Sequence, residues 1–316
     1  MHFPVSGVEC PIWLPPLIAF FVALLATPAG ISGAFLLMPF QMSVLGFVSP
    51  AVAPTNLIYN IVGVPGGVAR YLKEGRLIWP LAWIITTGTL PGVGVGAFVR
   101  AHYLVDPRYC KLFVGCVLLY LGVRLLRDAF RPRPAACVLD LTPARMVSTS
   151  LRKIEFLFQG DHYSFHPATL ASVALIVGVI GGIYGVGGGA IIAPFAMTIL
   201  GLPAYTVAGA ALFGTLLTSV AGVGFFEVSG VRPDWLLGLL FGAGGLFGSY
   251  LGARLQKHLP ERSIRLFLGL LVTALALQYV TGFLLGAAKG GTRPKNSHAL
   301  MRPIRTATAG SGPTKR

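Results

Sequence analysis

The sequence predicts an all-α polytopic membrane protein made of two homologous halves, and three observations carry that prediction. Of 316 residues, 54% are hydrophobic and only 11% charged, against about 25% charged in an ordinary soluble domain. From Cys10 to Ala69, and again from Pro167 to Phe226, there is no Lys, Arg, Asp, Glu or His. Each charge-free stretch is sixty residues, room for two or three helices at about 20 apolar residues per crossing. Shifted by 155 residues, the chain falls on itself: GISGAFLLMPFQMSVLG (30–46) lands on GVGGGAIIAPFAMTILG (185–201).

The repeat fixes the order of elements. Gly30, Gly33, Pro39, Phe40, Met42, Leu45 and Gly46 match Gly185, Gly188, Pro194, Phe195, Met197, Leu200 and Gly201. Val52, Ala53, Gly67 and Val68 match Val207, Ala208, Gly222 and Val223, and with a one-residue gap KLFVG (111–115) matches RLFLG (265–269). In each half a first apolar segment (12–29; 168–183) runs into a glycine cluster, and a second (33–47; 189–202) carries a proline. A third (51–69; 204–226), a fourth (78–99; 235–254) and a fifth (110–127; 264–286) follow. Repeats of this kind mark secondary transporters. The expected divisions are a first transmembrane repeat (12–128), a cytoplasmic linker (129–167), a second repeat (168–287) and a disordered basic tail (288–316).

The number of crossings turns on whether the first two segments of each half form one broken element. If they do, each half crosses about four times, and one side of the membrane holds 18 of the 25 Lys and Arg against 7. Five crossings per half give 14 against 11. Positive charge gathers on the cytoplasmic side, so the count favours eight crossings with cytoplasmic termini, and ten crossings in two inverted halves stays open. In the linker, IEFLFQGDHYSF alternates apolar and polar residues about a Gly-Asp turn, which predicts a β-hairpin. The tail, rich in Gly, Thr, Pro and basic residues, predicts disorder.

Several functional classes drop out. The net charge of +15 comes from loops, linker and tail without interleaved aromatic residues, so it sets topology rather than binding nucleic acid. Cys10, Cys110, Cys116 and Cys137 form no C-x-x-C or His-paired spacing, and the two in apolar helices, Cys110 and Cys116, read as core residues. The first apolar segment has neither a basic n-region nor a cleavage site, so it is expected to be retained. Gly185, Gly187 and Ala190 spell G-x-G-x-x-A, but a dinucleotide site needs an acidic residue about 20 positions on, and the next carboxylate is Glu227. Gly30 to Gly33 spell the G-x-S-G of a serine protease. The histidines all lie in tails, loops or helix ends, Lys111 stands at the very start of the fifth segment, and the repeat puts Gly187 at the place of Ser32. Neither a cofactor nor a metal is expected.

Two readings of the glycine clusters remain. Small residues let helices pack closely, which suits Gly92 and Gly96, or Gly248 and Gly252. Three consecutive glycines, Gly187 to Gly189, with Pro194 beyond and a counterpart in the other half, instead favour a broken helix. Its restarted end would expose N–H groups and a positive dipole, a site for an anion that needs no buried Lys or Arg. Candidate polar partners are Thr55, Asn56, Tyr59 and Asn60, with Asn56 and Asn60 on one helical face, and Thr215, Thr218 and Ser219 in the other half. Interhelical hydrogen bonding is the alternative for each of them.

These residues resemble the sulfite exporter TauE/SafE family of bacterial and plant membrane proteins. The resemblance rests on GVGGGAIIAPF (185–195), the Leu-Gly-Leu-Pro turn at 200–203, RPDW (232–235) entering a helix, and a Gly-rich helix ending in LGARL (251–255). KIEFLFQGDHYSF is similar to the linker of one branch, and coverage runs from about 14 to 286. The resemblance implies a bacterial inner-membrane, multi-pass transporter, working as an exporter, of small sulfur-containing or organic anions such as sulfite, sulfoacetate or sulfonates by alternating access. It points to Gly185, Gly187, Gly188, Gly189 and Pro194, and to Gly30, Ser32, Gly33, Pro39 and Thr55. Asn56, Asn60 and Thr215 join them from the polar residues above. The chain departs from the family pattern at Ser32 and Ala34, and at Ala210 where Thr is usual. The implied partners are a small anionic substrate and the lipid bilayer, with self-association left open. The alternative from another class is a non-transporting accessory or assembly protein that docks through its linker.

Overall fold

The structure, a computed structural model, describes residues 1–104, 106–130, 145–150, 153–158, 161–202, 204–256 and 261–290. The expected tail therefore lies almost wholly outside the described residues, as does Cys137. A short hairpin, β1 (His2–Phe3) and β2 (Val8–Glu9), precedes α1 (Leu14–Ala26), a 3-10 turn (Thr27–Ala29) and α2 (Ala34–Ser43). Next come α3 (Val52–Lys73), α4 (Trp79–His102) and α5 (Pro107–Phe130). Strands β3 (Arg145–Thr149), β4 (Ile154–Phe158) and β5 (Asp161–Phe165) lead to α6 (Pro167–Tyr184) and α7 (Gly189–Ile199). The chain closes with α8 (Ala204–Val228), α9 (Trp235–Leu255) and α10 (Glu261–Gly290).

Local chemistry sets the helix ends. Proline occupies the first turn of α1, α4 and α6, where its missing N–H costs no hydrogen bond. Asp234, the aspartate of RPDW, caps α9 by accepting the Leu237 N–H at 3.2 Å. Its other carboxylate oxygen holds Ser6 through the backbone N–H (3.1 Å) and the hydroxyl (2.8 Å), which ties the N-terminal hairpin to the start of α9. Glycines with positive φ stand at Gly30, Gly46 and Gly75 and again at Gly185, Gly201 and Gly230, each pair at the 155-residue spacing of the sequence repeat.

This is an all-α, multi-pass membrane protein. Trp79–His102, Arg108–Arg127, Pro167–Tyr184, Thr206–Val228 and Trp235–Leu255 are each long and apolar enough to cross a bilayer. The outer surface exposes Phe21, Val95, Ile176, Phe247 and Leu277, an apolar area that lipid covers and water would not. All four tryptophans are exposed at or beside helix starts: Trp13 before α1, Trp235 opening α9, and Trp79 and Trp83 in the first turns of α4. Amphipathic rings settle there at headgroup level. Cys110 is buried as expected, but Cys116 lies on the exposed side of α5, because the two are six positions apart on a helix and so point in different directions.

Glycine ladders set which helices meet. A Cβ on Gly244, Gly248 or Gly252 of α9 would run into the backbone carbonyls of Pro16, Phe20 and Leu24 of α1, and α4 meets α6 in the same way. There Gly88, Gly92 and Gly96 face the carbonyls of Ala171, Leu175 and Val179. The two sets of carbonyls are again 155 residues apart. Each half thus grips the first helix of the other at backbone contact, which only glycine permits. Between these pairs α3 packs on α9, α8 on α4, and α3 on α8, with α5 against α10 outside. The pairings are unchanged when each helix is exchanged for the one five places along.

Register gives direction. The ladder makes α1 parallel to α9, while Gly238 against Thr55, Gly242 against Val62 and Gly66 against Leu246 make α3 parallel to α9. Helices α1 and α3 therefore run the same way, and α2 returns between them. In the other half α6 and α8 both run with α4, through the ladder and through Gly214 against Ile85 and Gly222 against Val93, and α7 returns. The preference for eight crossings required α1 and α2 to cross once together, with α3 antiparallel to α1; the registers follow the five-segment, inverted alternative. At about 1.5 Å per residue, the 10 residues of α2 and 11 of α7 span only about half of a ~30 Å bilayer core. The linker emerges on one face of the helix layer and both ends of the described chain on the other.

In the linker β4 and β5 pair antiparallel with Ile154 opposite Phe165, and β3 adds a third strand that the alternation did not predict. Of the expected Gly-Asp turn, Gly160 lies outside the described residues and Asp161 opens β5 opposite Phe158.

Candidate functional site

Both glycine clusters are breaks. At the first, Gly30 takes φ +73° and ends the 3-10 turn, packed against Ala208 and Ala193 of the other half. At the second, Gly185 (φ +74°) and Gly187 (φ +80°) take the chain out of α6, conformations in which a side chain is strained. A Cβ on Gly185 would lie 2.6 Å from Ala53, and one on Gly187 would lie 2.8 Å from the Ser219 hydroxyl. Gly33 and Gly188 stand just ahead of α2 and α7, whose N-termini therefore open deep inside the helix layer.

Two asparagines of α3 join the breaks. Asn56 Nδ2 donates to the Ala34 carbonyl of the first break (3.0 Å) and the Gly185 carbonyl of the second (2.9 Å). One turn on, Asn60 Nδ2 donates to Val186 O (2.8 Å) and to Ser219 Oγ (3.1 Å), and Asn60 Oδ1 accepts from Ser32 Oγ (2.5 Å). Tyr184, the last residue of α6, donates its hydroxyl to Phe35 O of α2 at 2.8 Å. Ser32, Thr55, Asn56, Asn60, Thr215, Thr218 and Ser219 are all buried. In lipid, freed backbone carbonyls need partners, and these amides supply them.

The N–H groups at the breaks are also held. Ala34 N–H donates to Ser32 Oγ (3.3 Å), and Gly188 N–H to Thr218 Oγ1 (3.2 Å). Gly188 backs onto Thr89 of α4, and Gly189 onto the Ala211 carbonyl and Thr215 of α8. Thr215 Oγ1 is turned back to Ala211 O (2.8 Å). In this conformation the junction is closed on itself by neutral donors and acceptors. A small recess beside the first break, lined by Ala26, Ile31, Phe35, Leu36, Leu125 and Val272, is apolar and offers an anion nothing.

Of the residues expected at the site, Gly30, Ser32, Gly33, Asn56, Asn60, Gly185, Gly187, Gly188, Gly189 and Thr215 come together here. Thr55 does not. Its hydroxyl accepts from Asp234 N–H (2.8 Å) and donates to Ala51 O (2.7 Å), holding the loop before α9. Successive helical residues point about 100° apart, so Thr55 faces away from the breaks that Asn56 faces. Pro39 lies within α2, its carbonyl accepting from Tyr279 OH (3.0 Å), nearer the end of α2 than the break. The side chain of Pro194 lies outside the described residues. Sequence reasoning missed Gln41, buried in α2, whose Nε2 donates to Asn56 Oδ1 (3.2 Å). A polar residue in an otherwise apolar segment was the available signal. Among the described residues no His, Cys, Asp and Glu cluster could hold a metal ion.

A family model described as Sulfite exporter TauE/SafE matches residues 16–279, which takes in both breaks and all ten helices in whole or part. The chain is 23% identical over 263 residues to "Probable membrane transporter protein YunE" of Bacillus subtilis (strain 168), covering 79% of this chain and 90% of that one. It is 25% identical over 267 residues to "Probable membrane transporter protein y4hK" of Sinorhizobium fredii, covering 83% and 95%. No solved structure matches.

Proposed function

The chain belongs to the sulfite exporter TauE/SafE family, and from that premise we propose that it carries small sulfur-containing or organic anions, such as sulfite, sulfoacetate or sulfonates, across a bacterial inner membrane by alternating access. The observation that carries this reading is the meeting of two helix N-termini, α2 and α7, from opposite halves. Helix α2 leaves the junction for the face that holds the N-terminal hairpin, and α7 leaves it for the linker face. Their positive dipole ends thus converge, and an anion between them is stabilised without a buried counter-charge. The amides of Asn56 and Asn60, now on carbonyls, become donors to anion oxygens when the breaks part. Rocking of one half against the other exposes the junction to each face in turn, and the swapped packing of α1 on α9 and α6 on α4 supports such a motion of matched halves.

Charge supports an orientation. Among the described residues outside the tail, ten Lys and Arg lie on the linker face and four on the other, which supports a cytoplasmic linker. The reading is of a carrier rather than an enzyme, one that uses no cofactor.

Proteoliposomes containing the full chain test it, with sulfite, sulfoacetate and a carboxylate control as solutes. Transport of a sulfur anion by wild type, abolished by Gly188→Leu in a variant that still folds, is the expected result. Absence of any anion flux through well-folded wild type would overturn it in favour of an accessory role.

A further inference from the structure

Arginine 100 closes the last turn of α4, one helical turn beyond Gly96 and on the same face. Gly96 packs on Val179, Gly182 and Ile183, so Arg100 stands at the level where α6 ends and the second break begins. Arg100 is fully buried. Its Nη1 donates to Leu104 O at 2.5 Å, an ordinary cap on the carbonyls at the end of its own helix. Its Nε and Nη2 are buried with no hydrogen-bond partner, and among the described residues no carboxylate pairs with it.

Those two atoms are not an arbitrary pair. Nε–H and Nη2–H point the same way from one edge of the guanidinium, the fork that takes two oxygens of a carboxylate or sulfonate at once. A buried cation with two of its three nitrogens unpartnered is costly, and capping alone leaves this edge unexplained. The other half shows the contrast. One turn beyond Gly252, the matching place holds Gln256, whose Nε2 donates to Pro28 O (2.9 Å) and whose Oε1 accepts from Arg76 and from Tyr71 OH (3.0 Å). There the protein fills its own polar groups. At Arg100 it does not.

We propose that Arg100 is an anion-binding residue at the mouth of the second break, its free fork taking two oxygens of a small sulfonate, sulfite or carboxylate passing between the hairpin face and the junction. This rests on the transport reading above and names a subsite for it. The fork also sets a preference for anions that present two oxygens side by side.

The test is sulfoacetate flux and ligand-induced thermal shift in the full chain, for wild type, Arg100→Gln and Arg100→Lys. Loss of a charge-assisted pair is expected to raise KM about tenfold or more in Arg100→Gln and to remove the thermal shift, with unliganded stability equal or higher because a buried charge has gone. Arg100→Lys keeps charge without the fork and is expected to recover only part of the affinity; it carries the test alone if Arg100→Gln does not assemble. Wild-type KM and thermal shift in either folded variant would overturn the proposal and leave the transport reading standing. No anion flux in wild type would overturn both.

Discussion

The side-chain amide of Asn56 donates to the backbone carbonyl of Gly185 at 2.9 Å, across 129 positions of sequence. The same nitrogen holds Ala34 O, so one side chain of α3 pins both breaks. Replacing it with Leu leaves two buried carbonyls short of a donor, at about 1–3 kcal/mol each. Asn56→Leu is expected to lower Tm by several degrees and to stop transport. Asn56→Asp is expected to be worse, because it turns an oxygen toward those carbonyls. Thermal unfolding in detergent ranks the variants, and an Asn56→Asp protein as stable as wild type would remove the staple.

Gly188 and Gly189 differ in what surrounds them. A Cβ on Gly188 would strike only the Thr89 side chain among its nearest neighbours, whereas one on Gly189 would strike the Ala211 carbonyl and the Thr215 backbone N. Gly188→Ala is therefore expected to lose stability and flux and to regain much of both when combined with Thr89→Gly, less the roughly 1 kcal/mol of a helical glycine. No side-chain change is expected to rescue Gly189→Ala. Equal behaviour of the two alanine variants would contradict this geometry.

Ser32 acts by one hydrogen bond to Asn60 and one from Ala34 N–H. Ser32→Ala is expected to cost about 1–2 kcal/mol in stability and to keep measurable flux, since backbone and amide donors remain. Complete loss of flux from a folded Ser32→Ala protein would give the hydroxyl a direct part in handling the anion.

Five alternating segments per half put the N-terminal hairpin and the linker on opposite faces. Val5 and Ser164 are exposed on those two elements. With Cys10, Cys110, Cys116 and Cys137 replaced, Val5→Cys is expected to react with an impermeant maleimide from the periplasmic side only and Ser164→Cys from the cytoplasmic side only. Labelling of both from one side would restore the eight-crossing arrangement.

Much of the junction was legible because its signals are local. A glycine cluster inside an apolar run marks a break wherever it packs, and i, i+4 spacing put Asn56 and Asn60 on one face before any contact was known. Thr55, to which the family resemblance pointed, lies apart from the breaks because adjacency in sequence is not adjacency in space on a helix. Gln41 passed unnoticed because one polar residue in an apolar segment has meaning only beside its partner. The crossing count misled because Lys and Arg in the long tail outweighed those in short loops, to which the charge rule applies.

By itself, then, the sequence determined a membrane protein, its apolar segments and the place of both breaks, since each follows from composition and short-range spacing. Tertiary structure alone decided that α1 and α6 lie in the glycine ladders of the opposite half, that α2 and α7 turn back, and that Arg100 is buried with an empty fork. Those facts depend on which backbones approach closely enough to exclude a Cβ, and on which donors find no acceptor once the helices have met. Neither is a property of any one stretch of chain.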